Sequence, residues 1–142
     1  MTTDTKTKAI QFAVVAALTI GAPFEGGTFA GVITLKDGTH VAVALLADKP
    51  GNRLEWSDAK AWAEGLDASL PTRPVAALLY ANAKAQFEPD WYWTADTVDA
   101  DTGRKSDASY AWSCNFNYGY QYNVHKSYEG LAVAVRLIPL TA

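Results

Sequence analysis

Few side chains in this 142-residue sequence have the type and spacing to do chemistry. Asp99, Asp101 and Gly103 begin like a calcium-binding loop. The EF-hand pattern, however, asks for a further oxygen ligand before the glycine and a glutamate at the twelfth position, where Tyr110 stands. His40 and His125, with the single cysteine Cys114, lack zinc-ligand spacing. A Cys114 nucleophile would need His125 as its base, together with an oxyanion donor and an orienting partner, and the pattern supplies neither. There is no glycine-rich phosphate loop. The expectation is a protein with no catalytic residues, no metal and no cofactor, and His40 reads as an edge-strand or turn residue.

A different kind of chemistry is concentrated in residues 113–130, SCNFNYGYQYNVHKSYEG, where tyrosine, asparagine and serine dominate and aliphatic side chains are almost absent. Tyrosine offers a large, stiff, amphipathic contact surface, and serine and asparagine offer adaptable hydrogen bonds. Antibody paratopes use that combination. A solvated polar loop is the plainer alternative.

The elements that must position this stretch are legible. Length and a 49% hydrophobic content with five tryptophans fit one domain, 1–142, with a real core. A net charge of −3 gives no nucleic-acid footprint. One cysteine allows no internal disulfide. Lys6, Lys8 and the apolar run Ala9 to Ile20 imitate a secretory signal, but Pro23 after Ala22 is a poor cleavage context. The run is too short to span a bilayer, so an uncleaved docked strand or short helix is expected, without membrane insertion.

Gly31 to Leu35 and His40 to Leu46 predict a hairpin around an Asp37-Gly38 type I′ turn. Ser57 can cap a helix carrying Ala59, Trp62, Ala63 and Leu66 on one face, with Gly65 ending it. Thr72 can cap a second, with Pro74 in its first turn and Val75, Leu78, Leu79 and Ala83 buried. WYWTA (91–95) alternates as a strand, residues 96–109 read as a polar loop, and YAWSCNF and LAVAVRLIPL read as further strands. Hairpin, two helices and a C-terminal antiparallel sheet make an α+β fold. Trp56, Trp62, Leu78, Leu79, Trp93, Trp112 and Phe116 are its expected core.

The order of motifs over about residues 53–138 is itself distinctive. It runs from a Trp-led helix through Leu-Pro-Thr-Arg, Trp-Tyr-Trp-Thr, Ala-Trp with Phe four residues later and Gly-Tyr-Gln to Ala-Val-Arg. It resembles the DUF1566-type, C-type-lectin-fold proteins common in phages and prophages, some of which are variable proteins of diversity-generating retroelements. Residues 1–50 match only loosely. The resemblance implies a C-type-lectin-like scaffold, not an enzyme, with a ligand surface near the C-terminus.

On that resemblance Trp112, Phe116, Gly119 and Gln121 are fixed framework. The residues between and after them, Cys114, Asn115, Asn117, Tyr118, Tyr120, Tyr122, Asn123, His125, Ser127 and Tyr128, are the candidate ligand-binding residues and are open to diversification. Asn, Tyr, Ser, His and Cys are all reachable from an adenine-rich asparagine codon by changing its adenines. Glu88-Pro89-Asp90 is similar to the calcium-lectin triplet but stands before Trp91 at a helix end. No Trp-Asn-Asp accompanies it, so calcium-dependent sugar binding is not expected. A lone Cys114 does not reproduce the cysteine chemistry of the related formylglycine-generating enzymes. The implied function is a phage or prophage receptor-recognition protein that binds a host-surface protein or glycan, in the virion or in the prophage-carrying host. A structural virion protein (capsid decoration or tail component) and a bacterial surface adhesin are the alternatives. Contacts with other virion proteins and homo-oligomerisation stay open.

Overall fold

The computed structural model describes residues 9–142, so Lys6 and Lys8 of the signal-like segment lie outside it. The Ala9 to Ile20 run gives both expected elements in miniature, a strand β1 (Ile10–Gln11) and a helix α1 (Phe12–Ala16). Then follow β2 (Pro23–Phe24), β3 (Gly27–Thr34), β4 (His40–Leu45), α2 (Trp56–Gly65) and α3 (Arg73–Ala83). The chain ends with β5 (Trp91–Thr97), α4 (Val98–Thr102), β6 (Tyr110–Asn115), β7 (Gln121–His125) and β8 (Val135–Thr141). The class is α+β, with one sheet ordered β1-β8-β4-β3-β2 and another ordered β5-β6-β7.

Three buried clusters explain the layering. α1 covers one face of the five-stranded sheet through Val15, Phe24, Phe29, Ala42, Ala44 and Ile138. The other face, with Val43, Leu45 and Val135, meets α3 through Val75, Ala76 and Leu79, and α3 in turn meets Tyr92, Cys114 and Phe116 of the second sheet. α2 covers the far side of that second sheet with Ala59 and Ala63 against Trp93 and Val124. β4 is therefore buried on both faces, which is why it reads as a continuous apolar run instead of alternating. β5 is enclosed in the same way: Tyr92 faces α3, and Trp93, with its indole N–H on the Leu54 carbonyl at 2.8 Å, faces α2.

Several local expectations are corrected. The C-terminal strand does not extend the second sheet; β8 lies between β4 and β1 in the first. It begins only at Val135. Leu131 to Ala134 instead bridge the sheets, the Leu131 carbonyl accepting from Trp93 N–H and the Ala134 carbonyl from Leu46 N–H, both at 3.0 Å. The β3–β4 connection is a wider loop than a type I′ turn. Leu35 N–H bonds Thr39 C=O, Gly38 alone has positive φ (88°), and Asp37 Oδ1 accepts from Thr39 N–H. A type I′ turn needs positive φ at Asp37 as well.

α2 starts one residue before Ser57, with Glu55 at the N-cap. Its first turn is fixed by tertiary contacts, Trp56 N–H on Lys126 C=O and the Trp56 indole on Thr94 C=O. Gly65 closes the helix from inside, and the left-handed position falls on Asp67 (φ 58°). Thr72 caps α3 as expected, accepting from Val75 N–H. The polar segment 96–109 is not a plain loop: α4 forms there around buried Val98 and ends on left-handed Gly103. Of the expected core, Leu79, Trp93 and Phe116 are fully buried. Trp56, Trp62 and Leu78 are only half-buried on the outer flanks of the clusters, and Trp112, outside them, is half-buried under the Arg73 guanidinium.

Candidate ligand-binding face

The candidate residues fall on the β6–β7 hairpin and the turn that follows β7. Asn115 makes the hairpin turn. Its Oδ1 accepts from Asn117 N–H (2.8 Å) and Tyr118 N–H (3.0 Å), while its main chain bonds Tyr120 C=O and Gly119 N–H. This is the Asx-type capping that lets asparagine organise a turn, so its carboxamide oxygen is engaged in the fold. Gly119 takes φ 89°, and a Cβ there would stand 2.6 Å from the Tyr80 ring. Gly119→Ala is expected to be destabilising by about 1–3 kcal/mol through strain and clash together, measured as a fall in thermal midpoint.

Below the turn, framework residues lock the hairpin to the start of α3. Arg73 donates from Nε to Gln121 Oε1 (2.8 Å), and Gln121 Nε2 donates to Arg73 C=O (2.9 Å). The guanidinium lies 3.8 Å over the Trp112 ring, and the Trp112 indole N–H reaches Asp101 at 2.7 Å. Asp101, which had suggested a calcium loop, is thus held by Trp112 and Arg73. No group of three metal-ligating side chains gathers among the described residues. Phe116 stacks on Phe87 at 3.9 Å, with Tyr92 and Tyr80 at its edges.

On this base the tyrosines form a row. Tyr118 (74% exposed) and Tyr120 (53% exposed) have ring centroids 6.5 Å apart, and Tyr120 lies 5.4 Å from Tyr122. Tyr122 is half-buried against the α2-side cluster, and burial is the main cause that pushes its phenol above the usual range. Around the far end of β7, Trp91, Tyr110, Tyr122, Asn123, His125 and Tyr128 line an open groove of about 610 Å³. His125 Nδ1 accepts from Ser127 N–H (3.2 Å) and meets Ser127 Oγ at 2.7 Å, and its ring packs edge-on against Tyr110. Asn117, Asn123, Ser127 and Tyr128 are exposed.

One expected residue does not belong here. Cys114 is fully buried, facing α3 beside Tyr92, because Cys114 pairs with Gln121 on the core side of the sheet. Burial pushes its thiol above the usual range, an effect the Gln121 side chain opposes only in part. It should resist a thiol-labelling reagent in the native protein and react stoichiometrically after denaturation; rapid native labelling would contradict this placement. Two groove residues, Tyr110 and Trp91, escaped the sequence reading. Each was legible as a strand residue, but its position next to β7 depends on strand register, which carries no local signal.

No model of a known protein family matches the chain, and a search of curated proteins returns no match.

Proposed function

We propose that this protein is a non-catalytic recognition module of a phage or prophage, built on a C-type-lectin-like scaffold. It would bind a protein or glycan on the host surface through the β6–β7 hairpin and the groove beside it. The carrying observation is the Tyr118–Tyr120–Tyr122 row, exposed at its tip yet mounted on a hairpin pinned by Arg73, Trp112 and Gln121. Exposed aromatics in such a row are unusual unless they meet a partner, and a rigid mount lowers the ordering cost of meeting it. The face carries no formal charge among its candidate residues, so stacking and hydrogen bonding would do the recognising. Diversification of those positions by a retroelement fits their residue types. Cys114 lies inside the core, where burial pushes its thiol above the usual range, so it takes no part in this face.

A second reading, a structural virion component, draws on a separate observation. Phe12, Val14 and Ile20 are each roughly half exposed around α1, remote in sequence from the hairpin, and would suit a packing contact. Two variants separate the readings, each followed by incorporation into particles and by adsorption of intact particles to host cells. Tyr118→Ala/Tyr120→Ala should lose adsorption with normal incorporation if the hairpin recognises the host, and Phe12→Ser/Val14→Ser should lose incorporation if the α1 patch packs in the virion. Unchanged adsorption by the first variant counts against recognition, and unchanged incorporation of the second counts against the structural role.

A further inference from the structure

We propose that the outer edge of β7 docks an extended peptide segment of a protein partner, which adds to the β5-β6-β7 sheet as a fourth strand. The inference rests on the reading of this face as a recognition surface and narrows the partner from protein or glycan to an extended peptide. The hydrogen-bond parity of the hairpin supplies the first argument. Asn115 N–H bonds Tyr120 C=O at 2.9 Å, and Lys126 N–H bonds Ser109 C=O at 2.7 Å. Between these points the antiparallel register is unbroken, from Tyr110 opposite His125 to Cys114 opposite Gln121. Tyr120, Tyr122, Val124 and Lys126 therefore turn their main-chain groups toward β6, and Gln121, Asn123 and His125 turn theirs outward. Among the described residues no main-chain carbonyl meets those three N–H groups, and only the His125 carbonyl has a main-chain donor, Tyr128 N–H at 3.0 Å.

The other sheet edges are blunted. β1 and β2 are two residues long, and of the edges they leave uncovered β3 carries a bulge between Phe29 and Gly31 and β8 carries Pro139. On the far side of β5, Trp93 N–H bonds Leu131 C=O and Tyr92 bridges Leu131. Short edges and covered edges are the usual protection against stray pairing, along with charge, proline and bulges. β7 has none of these: its sequence is Gln-Tyr-Asn-Val-His, and its register contains no bulge.

Size argues for a peptide and not a second folded copy. Five residues span about 17 Å, a strip well short of the ~800 Å² per partner that a stable dimer buries. An extended segment needs only the edge plus flanking sockets for alternate side chains. The groove supplies such sockets in the aromatic rings of Trp91, Tyr110, Tyr122 and Tyr128.

The test selects a display library of linear random peptides against the full chain and then maps amide hydrogen exchange. Enriched peptides should slow exchange at Gln121, Asn123 and His125. Asn123→Pro should weaken them about tenfold or more by deleting the central donor. Proline at a solvent-facing N–H removes no ladder bond. Should that variant fail to fold, a backbone ester at residue 123 removes the same N–H without the ring and gives the deciding measurement. Failure to enrich any linear peptide would overturn the proposal, as would bound peptides that leave the three amides exchanging freely. Concentration-dependent protection of these amides in the protein alone would replace the peptide with a second copy. If Tyr118→Ala/Tyr120→Ala abolishes host adsorption but the ester does not, peptide pairing falls and the recognition reading stands. Normal adsorption by both ends both.

Discussion

Replacing Phe116 with alanine is expected to cost about 3–5 kcal/mol, the range for emptying a buried aromatic site, and to lower the thermal midpoint by roughly 10 °C or more. Phe116 is 1% exposed and sits where three elements converge, stacked on Phe87 beyond α3, edged by Tyr92 of β5 and approached by Tyr80 of α3. No neighbouring side chain can collapse into the space without leaving its own ring contacts. Trp112→Ala, although it removes a larger side chain, is expected to cost only about 1–2 kcal/mol, because Trp112 is half-exposed and loses mainly the Arg73 contact and one hydrogen bond. Parallel melts decide the ranking. A Phe116→Ala protein melting within a degree or two of the parent, or a Trp112→Ala protein melting lower, would reverse the assignment of the core.

That ranking shows where sequence reading succeeds and where it stops. α3 was legible in detail because its signals are local: Thr72 before the first turn, Pro74 where no N–H is required, and apolar residues on one face. The strands were legible as strands, but their partners were not. Nothing within LAVAVRLIPL says that Val135 onward pairs with β4 and β1 while Leu131 to Ala134 tie the two sheets together. Trp112 and Cys114 alternate with Ser113 and so share a face of β6, yet the sequence reading puts Trp112 in the core and Cys114 on the ligand surface. Which part of a face lies under a helix and which protrudes past its end was not legible. Trp112 protrudes past the N-terminus of α3 and meets Arg73, and Cys114, two residues on, lies under the helix. The tyrosine row was foreseen as a composition. Its division into an exposed tip and a half-buried Tyr122 depends on where β7 meets Trp91 and the α2-side cluster.

The double variant Tyr118→Ala/Tyr120→Ala is the second large expected effect, and it should appear in binding alone. Both rings are more than half exposed, and neither belongs to a buried cluster. Removing exposed side chains shifts stability by about 0.5 kcal/mol or less per site, so the melting temperature should stay close to that of the parent. Each tyrosine is a hot-spot candidate worth about 2 kcal/mol or more; together they should weaken the proposed host-surface binding by roughly 700-fold or more. Tyr122 is best left intact in this experiment, since its half-buried ring would mix a folding cost into the readout. The measurement pairs a thermal melt with an adsorption or affinity assay on the same preparation. Unchanged melting with unchanged binding would remove the tyrosine tip from the recognition surface. Loss of both would mean that the tip supports the fold after all.

The placement of β8 has a consequence for how the chain reaches this structure. The two hairpins, β3–β4 and β6–β7, close over a few residues and can form early, but the five-stranded sheet stays divided until β8 enters between β4 and β1. That final insertion matches Leu137 with Val43 and Leu140 with Ile10, contacts spanning most of the polypeptide. Such pairing must overcome loop-closure entropy before it gains any burial, and topologies dominated by it fold in milliseconds to seconds, not microseconds. The slow event is accordingly expected at this pairing, away from the displayed hairpin. Changes at the tyrosine tip should alter unfolding and refolding rates very little, and substitutions at Val135 or Ile138 should slow refolding directly. A scaffold whose rate-limiting step lies away from its displayed hairpin can accept many sequences there and still fold on the same timescale.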